Sequence, residues 1–139
     1  MQKVVIDTNV FVSSIIQKSY PFLIVDALFI ADKITLCVSD EVMAEYYDVL
    51  SRPKFSKFKD FFARAEQLLA DIEMKSTRFT PQIKLEIISD KDDNKILELA
   101  DESEADFVIT GNTTDFTFQK YKDTKIVIPS IYWEQYKPE

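Results

Sequence analysis

Four acidic residues occupy places where a fold can bring carboxylates together. Asp7 follows the apolar run Val4-Val5-Ile6, and Glu45 lies inside a helical stretch from Ser39 to Leu50. Asp93 opens the helix-like segment Asn94 to Ala100, and Asp115 follows Phe107-Val108-Ile109 by a short loop. Clustered carboxylates repel: at ~4 Å and an effective dielectric of ~20, one pair costs roughly 4 kcal/mol. Four together need raised pKa values or a bound cation, and a site of hard oxygens suits Mg²⁺ or Mn²⁺. The chemistry indicated is metal-dependent phosphoryl transfer.

Absent residues narrow the field as firmly. The 139 residues contain no histidine, one cysteine (Cys37) and one glycine (Gly111). Ser-His triads, Cys-His dyads, cysteine- and histidine-built zinc sites, P-loops and dinucleotide fingerprints are thereby excluded. No internal disulfide can form, and neither a membrane-spanning run nor a signal peptide is expected, so a cytoplasmic location is the default. Apolar content of 46% fits one globular domain over residues 1–139. Net charge of −7 opposes strong non-specific binding of nucleic acid by the surface as a whole. A bound cation and a local basic face would have to offset it.

The elements that must position the acids follow from periodicity. Lys3–Ile6 reads as a buried strand, and Ile34–Val38, Phe107–Thr110 and Lys125–Ile128 read as further strands. Helices are expected over Val10–Gln17, from Pro21 to about Asp32, and after a Ser39 cap up to Arg52-Pro53. A further helix is expected from Lys54 to about Ser76, and another from Asp93 to near Ser103. Lys84–Ile88 reads as strand or linker, Asp115–Tyr121 as a helical turn and Pro129–Tyr136 as a closing helix. Strands alternating with helices indicate an α/β fold, its parallel sheet covered on both faces. Sites in such sheets form at the carboxyl ends of strands, where Asp7 and the Gly111–Asp115 loop fall.

Taken singly, a glutamate on a helix is usually a solvated side chain and an aspartate at a helix start usually serves the dipole. Asp7, an acid ending an all-apolar strand, is the member whose position points most directly to function. A basic, aromatic stretch offers two readings. Arg52, Lys54, Lys57, Lys59 and Arg64 interleave with Phe55, Phe58, Phe61 and Phe62. The phenylalanines fit a core stripe, while the cations fit either a solvated face or a surface that tracks RNA or receives a partner.

Three segments in order, VVIDTNVFVS, SDEVMAEYYDVLSRPKF and DDNKILELADESEADFVITGNTTDF, resemble the PIN-domain ribonucleases. They are most similar to the branch containing toxins of bacterial toxin–antitoxin pairs, and the likeness runs from Lys3 to about Trp133. It implies a PIN-like three-layer α/β/α fold with a central parallel sheet and an acidic pocket for one or two Mg²⁺ or Mn²⁺ ions. Carried over by position, the acids are Asp7, Glu45, Asp93 (in preference to Asp92, because it keeps Ile96, Leu97 and Ala100 at the apolar helix positions) and Asp115. Many members have an aspartate directly after the Thr-Gly pair; this chain has Asn112, a neutral ligand or water-holder. Thr8, Asn9, Ser39 and Thr110 are expected to support the ligands by hydrogen bonding.

The function so implied is endonucleolytic cleavage of single-stranded RNA by a toxin, with a small protein antitoxin as partner; homodimerisation is left open. An RNA-processing PIN nuclease without antitoxin, or a catalytically silent binding module on the same fold, are the alternatives. Competing acid-pocket folds fit less well. A haloacid-dehalogenase-type phosphatase wants a second aspartate two residues after the first, where Asn9 stands, and the paired acids and lysine of a receiver domain are missing.

Overall fold

The computed structural model describes residues 1–85, 91–112 and 119–139, with residues 91–93 described in backbone only. Six strands form one sheet in the order β3-β2-β1-β4-β6-β5. They are β1 (Lys3–Ile6), β2 (Thr35–Val38), β3 (Thr77–Arg78), β4 (Phe107–Ile109), β5 (Lys120–Tyr121) and β6 (Thr124–Val127). All pairings are parallel except that of β5 with β6. Val4, Val5, Ile6, Leu36, Cys37, Val38, Val108 and Ile109 are wholly buried. Side chains alternate across a sheet, so consecutive buried residues require cover on both faces, and the strands accordingly read as unbroken apolar runs.

Helices provide that cover: α1 (Thr8–Ile16), α2 (Tyr20–Leu23, continued by a π-helical turn over Ile24–Phe29), α3 (Asp40–Leu50), α4 (Phe61–Lys75), α5 (Lys91–Ser103) and α6 (Pro129–Ile131, continued over Tyr132–Tyr136). Among the described residues no helix is long and apolar enough to cross a membrane. The chain is thus an α/β fold around a largely parallel sheet, as the sequence implied.

Local chemistry sets the helix ends that matter for the site. Ser39 accepts a hydrogen bond from the Val42 amide at 3.2 Å, and Asp40 and Glu41 occupy the first turn of α3, where the dipole favours acids. The helix stops at Ser51 because Pro53 forces Arg52 into an extended conformation (φ −67°, ψ 133°).

Two expectations are revised, and a third lies partly outside the described residues. The helix expected over 54–76 is two pieces: a 3₁₀ turn at Pro53–Lys57, then α4 from Phe61. Asp60 takes a left-handed conformation (φ 61°), which folds the turn back so that Phe55 stacks on Phe61 with ring centroids 4.6 Å apart. Periodicity sees both phenylalanines as one apolar stripe and misses the reversal between them. Beyond α4, the strand beside β2 is Thr77–Arg78; residues 81–85 form no regular element, and 86–88 lie outside the described residues. Lys120–Tyr121, assigned to a helical turn, is a strand paired with β6; Gln119 before it is a bend, and 115–118 lie outside the described residues.

Ser39 is 2% exposed and holds the start of the helix that carries Glu45. Ser39→Ala should cost about 1 kcal/mol by loss of the cap. Thermal denaturation should show Tm lower by roughly 3 °C; an unchanged Tm would mean that the cap does not hold α3.

Candidate active site

The strand order reverses direction between β1 and β4: the chain builds β1, β2 and β3 outward on one side, then returns with β4 on the other. Ligand crevices in open α/β sheets open at this switch point, beyond the carboxyl ends of the strands. Register aligns Ile6 with Ile109, so Asp7 and Thr110 leave the sheet side by side, and the Asp7 amide donates to the Ile109 carbonyl at 2.9 Å.

Asp7 is 6% exposed and its carboxylate is held from several directions. One oxygen, Oδ1, accepts from the Thr8 amide at 2.8 Å, which makes Asp7 the N-cap of α1. Oδ2 accepts the Thr110 hydroxyl at 2.7 Å and, more weakly, the Asn9 side-chain amide at 3.3 Å. Thr110 Oγ1 in turn accepts from the Asn112 amide at 3.0 Å, which directs its proton toward Asp7. Asn9 reaches both walls, its Oδ1 accepting from the Gly111 amide at 3.0 Å. Donors of this kind favour the charged form of a buried carboxyl.

Glu45 arrives from α3. The Thr8 hydroxyl donates to its Oε2 at 2.5 Å, so Thr8 links the two acids by binding Asp7 through its backbone and Glu45 through its side chain. Sequence reading did not single out the neighbouring Tyr46. Its wholly buried ring packs edge-on against Phe11 (5.0 Å, 86°), and its hydroxyl donates to the Ile6 carbonyl. The residue after Glu45 is therefore tied to the residue before Asp7. Burial, then the charges of Asp7 and Glu45, push the Tyr46 hydroxyl well above its ordinary pKa and keep it a donor.

These groups line a cleft of about 660 Å³. Asp7, Thr8, Asn9, Glu45 and Asn112 line it, with Glu41 and Asp48 on the same face of α3. Lys95 of α5 lines it too, and Arg52 and Lys54 lie beyond the end of α3; none of the three had been placed at the site from sequence. Thr110 acts from behind through Asp7, whereas Ser39 is engaged with the start of α3. The backbone of Asp93 belongs to the first turn of α5, but its side chain and all of Asp115 lie outside the described residues. Among the described residues no group of three histidine, cysteine, aspartate or glutamate side chains is poised around a metal position. The donor set still fits a hard divalent cation. Asp7 and Glu45 bring carboxylate oxygens from separate elements, and Asn112 can bring an amide oxygen, the ligand type of Mg²⁺ and Mn²⁺.

An acid-lined crevice at the switch point of a parallel α/β sheet defines the class of site, and comparison with known proteins places the chain within it. The sequence matches the PIN domain over residues 3–114, and the chain belongs to that family. It is 34% identical over 111 residues to the uncharacterized protein MJ1680 of Methanocaldococcus jannaschii, a match covering 79% of this chain and 70% of the relative. Its fold is similar to that in the crystal structure of VapBC2 from Rickettsia felis bound to a DNA fragment from their promoter. There the TM-score is 0.57 and the identity 18%, with 91% of this chain and 98% of that chain covered.

Tyr46→Phe should keep the packing on Phe11 and lose one buried hydrogen bond, about 1 kcal/mol. The tie to Ile6 would then be broken, and Mn²⁺ binding measured by calorimetry should weaken. Wild-type Mn²⁺ affinity in this variant would show that the tie does not set the spacing of Asp7 and Glu45.

Proposed function

We propose that this chain is a divalent-metal-dependent endoribonuclease acting on single-stranded RNA, as the toxin of a toxin–antitoxin pair. The observation that carries the reading is the meeting of Asp7 and Glu45 in one cleft at the switch point of a PIN domain. PIN domains are in general nucleases. A divalent cation held there by Asp7, Glu45 and Asn112 would make water easier to ionise and offset negative charge developing on the phosphate. The protein's part is to hold Asp7 and Glu45 charged, fixed and close, which the Thr8, Asn9 and Thr110 hydrogen bonds favour. Asp93, at the start of α5, and Asp115, beyond the β4 loop, would complete the acidic set, with Asn112 as a neutral member. Such a site needs no histidine base, in keeping with a chain that has none.

Cleavage of a single-stranded RNA should require Mg²⁺ or Mn²⁺ and stop with chelator. Asp7→Asn keeps the size of the side chain while removing a ligand charge, and activity should fall at least a hundredfold. Asp92→Asn should have far less effect, and a larger loss there would identify Asp92 as the ligand instead of Asp93. Wild-type activity in Asp7→Asn would overturn the metal-site assignment.

The antitoxin part of the reading draws on the sequence resemblance and on the likeness of fold to VapBC2. It is supported by a second, mainly apolar groove of about 450 Å³ between α1, α2 and α4. Ile15, Phe22, Val25, Ile30 and Leu68 line it, with Lys18 and Arg64 at its margin. An amphipathic helix fits such a groove through its apolar face, and a basic side chain carried beyond it would be drawn to the acidic cleft. Expression of the chain alone should slow growth, and the small protein encoded beside it should relieve the effect. Phe22→Asp should abolish co-purification of the two while leaving RNA cleavage in vitro intact. A chain that is harmless alone, copurifies with nothing and still cuts RNA would be an RNA-processing nuclease. One that binds RNA without cutting it under any divalent metal would be a silent binding module.

A further inference from the structure

The basic stretch after α3 divides in space. Among the described residues, Arg52 and Lys54 line the acidic cleft. Arg64 lines the second groove, its guanidinium donating to the Ile15 carbonyl at 3.4 Å, and Lys57 lies over the ring of Phe58. We propose that Arg52 and Lys54 form a phosphate-holding subsite at the far end of the cleft, gripping single-stranded RNA at a phosphate next to the one that reacts. The inference rests on the nuclease reading for the direction of the strand and goes beyond it in naming the groups that hold substrate.

Geometry and charge carry it together. Glu41, Glu45, Asp48 and Arg52 are spaced by four, three and four residues, so they share one face of the α3 turn register, and all four line the cleft. That face runs from acids to a base. Arg52 follows the end of α3 and its guanidinium turns back to Asp48 at 3.0 Å, so it stands on the cleft wall past the acids of the helix. The extended conformation before Pro53 then turns the chain so that Lys54 rejoins Arg52 on the cleft wall. Lys54 Nζ stands 5.2 Å from the centroid of Phe55, whose ring is 8% exposed and stacked on Phe61, so a fixed platform supports the cation.

Arg52 is paired with Asp48 at 3.0 Å, but the side chains are 47% and 70% exposed. A solvated pair of this sort contributes little, and a phosphodiester offers the guanidinium a bidentate alternative. In a protein of net charge −7, an RNA strand is repelled by most of the surface. A cleft that sets Arg52, Lys54 and Lys95 beside acids able to hold a divalent cation matches a ligand carrying one charge per nucleotide.

The test uses full-length protein in the Asp7→Asn background, so that binding is measured without cleavage, and a fluorescein-labelled single-stranded oligoribonucleotide. Fluorescence anisotropy across a salt series should show that adding Arg52→Gln and Lys54→Gln weakens binding at least tenfold. The slope of log affinity against log salt should become shallower by roughly 0.7, the value for one phosphate contact on a single strand. Lys57→Gln with Lys59→Gln should change affinity less than twofold. In the otherwise wild-type enzyme, the Arg52 and Lys54 pair of substitutions should raise KM about tenfold with little change in kcat. Circular dichroism and Tm check the fold, and Arg52→Lys, which keeps the charge but not the fork, should recover part of the affinity. Unchanged affinity and salt slope would overturn the inference while leaving the nuclease reading intact. Equal loss of binding to polyglutamate would reassign the pair to an acidic protein and also overturn it. If binding depends on Arg52 and Lys54 but the wild-type chain cuts no RNA with Mg²⁺ or Mn²⁺, the subsite stands and the nuclease reading falls.

Discussion

A buried aspartate at the end of a central strand is the constraint around which the rest of the molecule is organised. A carboxylate leaving water loses several kcal/mol of solvation unless hydrogen bonds replace it. Asp7 regains them from groups on two strand ends: the Thr8 amide and Asn9 side chain on its own segment, and the Thr110 hydroxyl from across the switch point. Each of those groups has a second duty. Thr8 binds Glu45, Asn9 receives the Gly111 amide, and Thr110 receives the Asn112 amide. The site is therefore a connected network, in which displacing one member loosens the others.

The same network explains why α3 sits where it does. Tyr46 could have packed as a plain aromatic against Phe11, yet its hydroxyl reaches the Ile6 carbonyl and fixes the helix against the end of β1. Ser39 secures the start of the helix and Pro53 limits its end. Glu45 is thereby presented to Asp7, while Arg52 and Lys54, which follow the helix, line the same cleft.

Much of this architecture is visible in the order of residue types. β1, β2 and β4 announce themselves as short apolar runs whose lack of alternation signals burial on both faces, whereas β6 alternates, with Lys125 exposed between Thr124 and Ile126. The Ser39 cap and the Arg52-Pro53 stop bound α3 correctly because both act within a few residues. The reversal at Asp60 escaped the same reading, since phenylalanines on either side continue a helical stripe and an aspartate in a left-handed conformation leaves no compositional mark. The strand at Lys120–Tyr121 escaped for a related reason: a short edge strand is defined by its partner β6 more than by its own residues.

For the site, the sequence by itself determined the kind of chemistry open to this protein. It has no histidine and one glycine, and an aspartate ends its first apolar strand. Those facts leave carboxylate and metal chemistry and follow from composition and local order alone. Tertiary structure decided which side chains meet. The contact of Thr8 with Glu45 spans 37 residues and that of Thr110 with Asp7 spans 103, and no local propensity encodes either. They arise because parallel register sets Ile6 beside Ile109, and because a buried tyrosine hydroxyl must find an acceptor. The separation of Arg52 and Lys54 from Lys57 and Arg64 is likewise tertiary: residues adjacent in the chain diverge once Pro53 and Asp60 turn the backbone between the two grooves.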